Sequence, residues 1–183
     1  MAEGPLLRAD ERLSRAVEGR GPNALTEFLA DLGNMSVALP ALAAAVGYAL
    51  WRGSRARALG VVLAMAAVPA LVVPLKSWIA RPGPLTAETG YYPSGHAAAS
   101  MMAYCGAAVL LCAYVRARLV LPAALVLTAA TGAGLVLRGY HWPLDVLGSW
   151  CLCALLLLLL SHRPAGRDSP PPRASRVRAA PDR

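Results

Sequence analysis

Apolar residues fall into five long runs, and charge is almost absent inside them. The runs are Leu32 to Trp51, Ala58 to Leu75, Ala97 to Val115, Leu119 to Leu137 and Pro143 to Ser161. Each is close to the ~20 residues a helix needs to cross a bilayer. Their many Ala, Gly and Ser residues suit close helix packing in lipid. Pro40, Pro69 and Pro122 lie within the runs, which neighbouring helices can tolerate in a membrane. The pattern predicts an all-α polytopic membrane bundle of about five transmembrane helices, spanning residues 34–162. Before it, residues 1–33 are polar with mixed charge. Leu25, Phe28, Leu29 and Leu32 recur there at helical spacing, so this segment is expected to hold an amphipathic helix on the membrane surface or packed on the bundle. After the last run, residues 163–183 are rich in Pro and Arg and read as a disordered cytoplasmic tail.

Composition supports this division. Of 183 residues, 57% are hydrophobic and only 15% charged, an unusual balance for a soluble domain of this length. Mean hydropathy is +0.49. The net charge of +8 comes largely from arginines at run ends and in the tail, the pattern of membrane flanks. With a single Phe and no interleaving of basic and aromatic residues, a nucleic-acid partner has no support. Cys105, Cys112, Cys151 and Cys153 lie within apolar runs at spacings that match no zinc site, and read as small buried hydrophobes. No cleavable signal is expected at the N-terminus, where Glu3, Asp10 and Glu11 stand in place of an apolar core.

The arginines also suggest an orientation. Arg52, Arg55 and Arg57, then Arg116 and Arg118, then Arg163 and Arg167 fall on one side of a five-span arrangement, which the positive-inside rule assigns to the cytoplasm. The opposite side receives the N-terminus, the loop from Lys76 to Gly95 and the turn from Arg138 to Trp142.

That opposite side collects the unusual polar residues: Lys76, Arg81, Ser94, His96, Arg138, His141 and Asp145. Ionisable groups at span ends are functional candidates; a single one could be a snorkelling anchor, but three separated segments contribute here. Lys and Arg suit a phosphate, Arg as a planar fork and Lys as a point charge. Gly95 at the start of a span exposes backbone N–H groups where the helix dipole favours an anion. His141 and Asp145 are four apart, so on a helical turn the carboxylate can hold one imidazole nitrogen and leave the other free to attack. His96 is then placed to protonate a leaving oxygen. The cluster offers no carboxylate cage, so neither a metal nor another cofactor is expected. Glu88 reads as a solvated loop charge and His162 as a bystander at the opposite face. Trp78, Tyr91, Tyr92, Tyr140 and Trp142 suit an aromatic belt at the membrane surface, with a lipid entrance as the alternative place for Tyr92 or Trp142.

These residues stand in three motifs: Lys76-Ser77-Trp78-Ile79-Ala80-Arg81-Pro82-Gly83-Pro84, then Pro93-Ser94-Gly95-His96, then His141-Trp142-Pro143-Leu144-Asp145. Over residues 58–161 the chain resembles the type-2 phosphatidic acid phosphatase superfamily, also called the lipid phosphatase and vanadium haloperoxidase superfamily. That family's motifs are Lys-x6-Arg-Pro, Pro-Ser-Gly-His and Ser-Arg-x5-His-x3-Asp. The resemblance implies a lipid phosphatase; the lack of a carboxylate cage makes a metal-independent one expected. The Ala-, Arg- and Leu-rich composition points to a bacterial plasma membrane, and the arginine pattern puts the site on its extracytoplasmic face. Its substrate would be a lipid phosphomonoester or diphosphate, such as a polyprenyl diphosphate or phosphatidic acid. His141 would be the nucleophile that forms a phosphohistidine, Asp145 its orienting partner and His96 the acid. Lys76, Arg81, Ser94, Gly95 and Arg138 would hold the phosphoryl oxygens.

Two positions depart from the pattern. Gly83 occupies the place of the first-motif arginine, and Gly134-Leu135 that of the third-motif Ser-Arg pair. Arg81 and Arg138 lie close by, and the expectation is that they take over phosphate binding. The chain also has one span fewer than the six common in the family. A lipid phosphotransferase and a non-catalytic membrane scaffold with a degraded phosphate site stand as alternatives. The sequence leaves the oligomeric state open.

Overall fold

The computed structural model describes residues 4–86 and 88–161. The expected tail at 163–183 and His162 lie outside the described residues. Among the described residues seven helices follow one another: α1 (Pro5–Val17), α2 (Asn23–Asp31), α3 (Met35–Trp51), α4 (Arg55–Ile79), α5 (Gly95–Leu111), α6 (Ala117–Leu137) and α7 (Pro143–Ser161). Among the described residues there are no strands, only an isolated bridge between Pro82 and Thr89. Each of the five apolar runs is a helix, with ends within a few residues of those the hydropathy pattern predicts.

Helix α5 forms the axis of the bundle, packed by α3, α4, α6 and α7. Its composition permits this. Ala97, Ala98, Ala99, Ser100, Ala103, Gly106 and Ala108 are buried, and such small side chains let neighbouring backbones approach closely. The principal core joins Ala38, Leu42 and Ala45 of α3 to Val61, Ala64 and Val68 of α4, Met102 of α5, and Cys153 and Leu157 of α7. Large apolar side chains face outward instead, including Leu59 and Leu63 of α4, Leu125 and Val126 of α6, and Leu155 and Leu158 of α7. Small residues inside and leucines outside is the arrangement of a bundle solvated by lipid rather than water.

Helices α4 and α6 are each long and apolar enough to cross a membrane, and α2 with α3 passes the same test as a pair bent by 46°. Helices α5 and α7 are shorter apolar helices. Pro40, Pro69, Pro74 and Pro122 are all accommodated within helices.

The N-terminal segment is more deeply integrated than its polarity suggests. It forms two helices, α2 packed along α6 and α1 touching α6 and α7. The stripe read in the sequence is partly outward: Leu25 and Phe28 are exposed, while Thr26 and Ala30 are the buried residues of α2. In α1 the buried residues are polar, Asp10 and Ser14, while Leu6, Leu7 and Leu13 are exposed together with Arg8, Arg12 and Arg15.

Candidate active site

The chain folds so that three motifs meet at one end of the bundle. The first begins on the last turn of α4. There α4 stops at Ala80, which takes a left-handed conformation (φ 47°) and donates its N–H to Lys76 O. The loop beyond is held on itself by N–H groups of Gly90 and Tyr91, both donating to Arg81 O at 3.0 Å. Lys76 reaches across to this loop, its Nζ donating to Gly90 O at 2.8 Å.

The second motif starts α5. Ser94 is its N-cap, with Oγ accepting from Ala97 N at 3.3 Å, a strongly preferred cap. The Tyr92–Pro93 peptide before it is cis. The first N–H groups of a helix lack intrahelical partners, and here they open beside Gly95 and His96.

The third motif starts α7, and α7 is stitched to α5. Ser94 N donates to Asp145 O at 3.1 Å, Ser149 Oγ donates to Ser94 O at 2.8 Å, and Cys153 Sγ donates to Ala98 O at 3.4 Å. This seam holds the start of α5, with His96, against the start of α7, just after His141. The His141 Nδ1 lies 3.4 Å from Asp145 Oδ2, a long hydrogen bond, and Trp142 N donates to the same oxygen at 3.2 Å. Asp145 is fully buried and its other oxygen receives Arg81 Nη1 at 2.7 Å.

A cavity of about 540 Å³ opens between these parts. At its polar end stand Lys76, Glu88, Gly90, Tyr91, Gly95, His96 and His141. Its remaining wall is apolar, made of Met35 from α3, Val68, Pro69, Val72 and Val73 from α4, and Ala99 from α5. The volume is in the range of small-molecule sites.

The expected site residues therefore separate into three groups. Lys76, Gly95, His96 and His141 line the cavity. Ser94, Asp145 and Arg81 stand behind it as supports; the guanidinium of Arg81 spans Asp145 and Asp10, with Nη2 donating to Asp10 Oδ2 at 2.6 Å. Arg138 does not line the cavity. Its Nε is 2.7 Å from Glu27 Oε2 and its Nη1 donates to Asn23 Oδ1 at 3.3 Å, so it engages α2. Tyr140 first, then the charge of Glu27, pushes this guanidinium above its ordinary pKa. The expectation that Arg81 and Arg138 present their forks to phosphate is thus altered: carboxylates occupy both.

The departures at Gly83 and Gly134-Leu135 have local reasons. A Cβ on Gly83 would run into the ring of Tyr91, which packs against the imidazole of His141 with centroids 5.6 Å apart. A Cβ on Gly134 would meet the backbone of Leu29 and Ala30, and Leu135 is buried with Ala30, Ala97 and Val146. The place of the third-motif pair is used for docking α2. Two residues depart from the sequence reading. Asp10 is one. The other is Trp142, which is not part of a surface belt: it is buried, its Nε1 donates to Pro82 O at 2.9 Å, and Arg81 lies over its ring at 5.4 Å. Among the described residues no cluster of His, Cys, Asp and Glu suits a metal ion.

Comparison with known proteins places the fold in a family. The sequence pattern of the PAP2 superfamily matches residues 57–168, more than half of the chain. The chain belongs to the PAP2 superfamily. Among solved structures it resembles a transmembrane PAP2-type phosphatidylglycerolphosphate phosphatase from Bacillus subtilis. The TM-score is 0.75 and the identity 25%, covering 87% of this chain and 86% of that one. A search of curated proteins found no match. Superfamily membership and this likeness make the chain an integral membrane protein of PAP2 fold and support a lipid phosphatase.

Proposed function

We propose that the chain hydrolyses the phosphomonoester or diphosphate of a membrane lipid through a phosphohistidine on His141. The observation that carries this reading is the two-ended cavity. Its polar end gathers Lys76, both histidines and the start of α5, while its apolar wall runs down α4. That shape suits a molecule with a phosphate at one end and a hydrocarbon chain at the other. The similar Bacillus subtilis protein, a phosphatidylglycerolphosphate phosphatase, supports a lipid phosphate substrate.

In this mechanism the phosphoryl group sits beside Lys76 and the first-turn N–H groups after Ser94. Asp145 accepts from His141 Nδ1, which leaves Nε2 with its lone pair directed at phosphorus. Nε2 forms the N–P bond as the ester oxygen leaves, and His96 gives that oxygen a proton. Water, deprotonated by His96, then attacks phosphorus; the N–P bond breaks and phosphate departs. No step calls on a metal ion. Arg81 serves this site by holding Asp145. The positive-inside pattern of the arginine loops supports an extracytoplasmic site and a cytoplasmic C-terminus in a bacterial plasma membrane.

The test is phosphate release from a panel of lipid phosphates by the purified full-length protein, with and without chelator. Turnover is expected to persist in chelator, to be inhibited by vanadate, which mimics a five-coordinate phosphoryl centre, and to vanish in His141→Ala. No release from any monoester or diphosphate lipid would overturn the reading. The missing arginines at Gly83 and Leu135 would then favour a non-catalytic role.

A further inference from the structure

The carboxylate of Asp10 takes no part in the chemistry just outlined, yet it is bonded to the frame of the site on two sides. Its Oδ2 accepts from Arg81 Nη2 at 2.6 Å, and its Oδ1 accepts from Leu144 N at 2.9 Å. The side chain is only 2% exposed. Burying a carboxylate is costly unless charge and hydrogen bonds replace its water. On the same helix, Glu11 does the ordinary thing: it pairs with Arg15 at 3.6 Å, four residues away. Asp10 instead crosses to two segments far off in the chain.

Those two segments are the neighbours of Asp145. Arg81 Nη1 donates to Asp145 Oδ1 at 2.7 Å. Leu144 precedes Asp145 directly, in the first turn of α7. Asp10 therefore fixes the guanidinium that aims Asp145, and also the backbone that carries it. Asp145 Oδ2 is left to accept from His141 Nδ1 and Trp142 N. A continuous series of bonds runs from α1 through Arg81 and Asp145 to the imidazole. The last of these is long, at 3.4 Å, so a small turn of the Asp145 carboxylate would break it. The ring would then lose the partner that fixes which nitrogen carries the proton.

We infer that Asp10 is a positioning residue for His141, acting through Arg81 and the start of α7, so that α1 is part of the active-site frame. The inference rests on the reading of His141 as nucleophile. Asp10→Asn keeps the size and an acceptor for Leu144 N but removes the charge that holds Arg81. Asp10→Ala removes both.

The experiment compares full-length wild type, Asp10→Asn, Asp10→Ala and Glu11→Ala in detergent. It measures kcat and KM on a lipid phosphate, thermal midpoints, and 15N NMR of labelled histidine. With three histidines in the chain, single substitutions assign the signals. Wild-type His141 is expected as a single Nδ1–H tautomer. Asp10→Asn should lower kcat about tenfold with KM within about twofold, and give a mixture of His141 tautomers. Asp10→Ala should do so at least as strongly, and Glu11→Ala should match wild type. Wild-type kcat and an unchanged His141 signal in both Asp10 variants would overturn the inference. So would a lowered melting point with undiminished kcat per folded molecule. If wild type itself releases no phosphate, the phosphatase reading fails, and the His141 signal alone decides the role of Asp10.

Discussion

The two arginines expected at the site differ in what surrounds them, and that difference sets what each substitution should do. Arg81 has an 11% exposed side chain and lies between Asp10 and Asp145, at 2% and 0%. Removing it leaves two buried carboxylates without a cation, the case in which breaking a buried pair is most damaging. Arg81→Ala is expected to lower unfolding stability by about 3 kcal/mol and to abolish most turnover. Arg81→Lys should recover little, because a single ammonium cannot bridge both carboxylates as a fork does. Arg138 faces Glu27 at the half-exposed edge of α2. Arg138→Lys is therefore expected to keep kcat/KM within about twofold of wild type, since either cation can pair with a surface carboxylate. A tenfold loss would instead assign Arg138 to the phosphate, as its place in the sequence near Leu135 suggests. Both outcomes are read from steady-state kinetics on one lipid substrate.

At the scale of elements, two junctions carry testable strain or closeness. Helix α4 ends on Ala80 at φ 47°, where a side chain is disfavoured and glycine is the usual residue. Ala80→Gly should raise the unfolding free energy by up to ~1 kcal/mol, the left-handed penalty less the extra freedom glycine has when unfolded. Equilibrium denaturation in mixed micelles would measure it; an unchanged or lower value would mean the loop holds Ala80 without strain. Helix α2 lies so close to α6 that Gly134 has no room for a Cβ. Gly134→Ala should cost roughly 1–3 kcal/mol by overpacking. It should also expose α2, detectable as faster labelling of a cysteine placed at Ala30. Helix α1 shows why its role escapes a hydropathy reading: Asp10 and Ser14 face in, while its leucines face out together with Arg8, Arg12 and Arg15. At the edge of a lipid-solvated bundle it is consistent, because outward leucines and arginines suit the boundary between acyl chains and headgroups, and the inward carboxylate meets Arg81.

The whole molecule adds the membrane. Arginine clusters in the loops between α3 and α4 and between α5 and α6 lie at the end of the bundle away from the cavity. There Arg52 stacks on Tyr48 and Tyr114, and Ser54 pairs with the Tyr114 hydroxyl. In the proposed orientation that end is the cytoplasmic one. Cysteines introduced at Arg57 and Arg118 should accordingly resist membrane-impermeant reagents in intact cells, while one at Leu85 should be labelled. Labelling of the first two from outside would invert the orientation and bring the site to the cytoplasmic face.

The sequence by itself determined the elements and the candidate site residues. Five apolar runs became helices because lipid allows no unpaired backbone, and motif order predicted that Lys76, His96 and His141 would share one site, because alternating spans return those segments to one side. The His141–Asp145 pair was legible as well, since four residues on a turn fix their separation. Only the tertiary structure decided the use of the remaining charges. Arg81 bonds to an aspartate 71 residues earlier and Arg138 to a glutamate 111 residues earlier. Nothing local in the chain encodes such pairings, because a guanidinium satisfies itself with whichever anion packing brings within reach. The same holds for Gly83, Gly134 and Leu135. They read as losses from a motif, but in the fold their small or apolar character makes room for Tyr91 and for α2. Side-chain volume acquires that meaning only when another element arrives to fill the space.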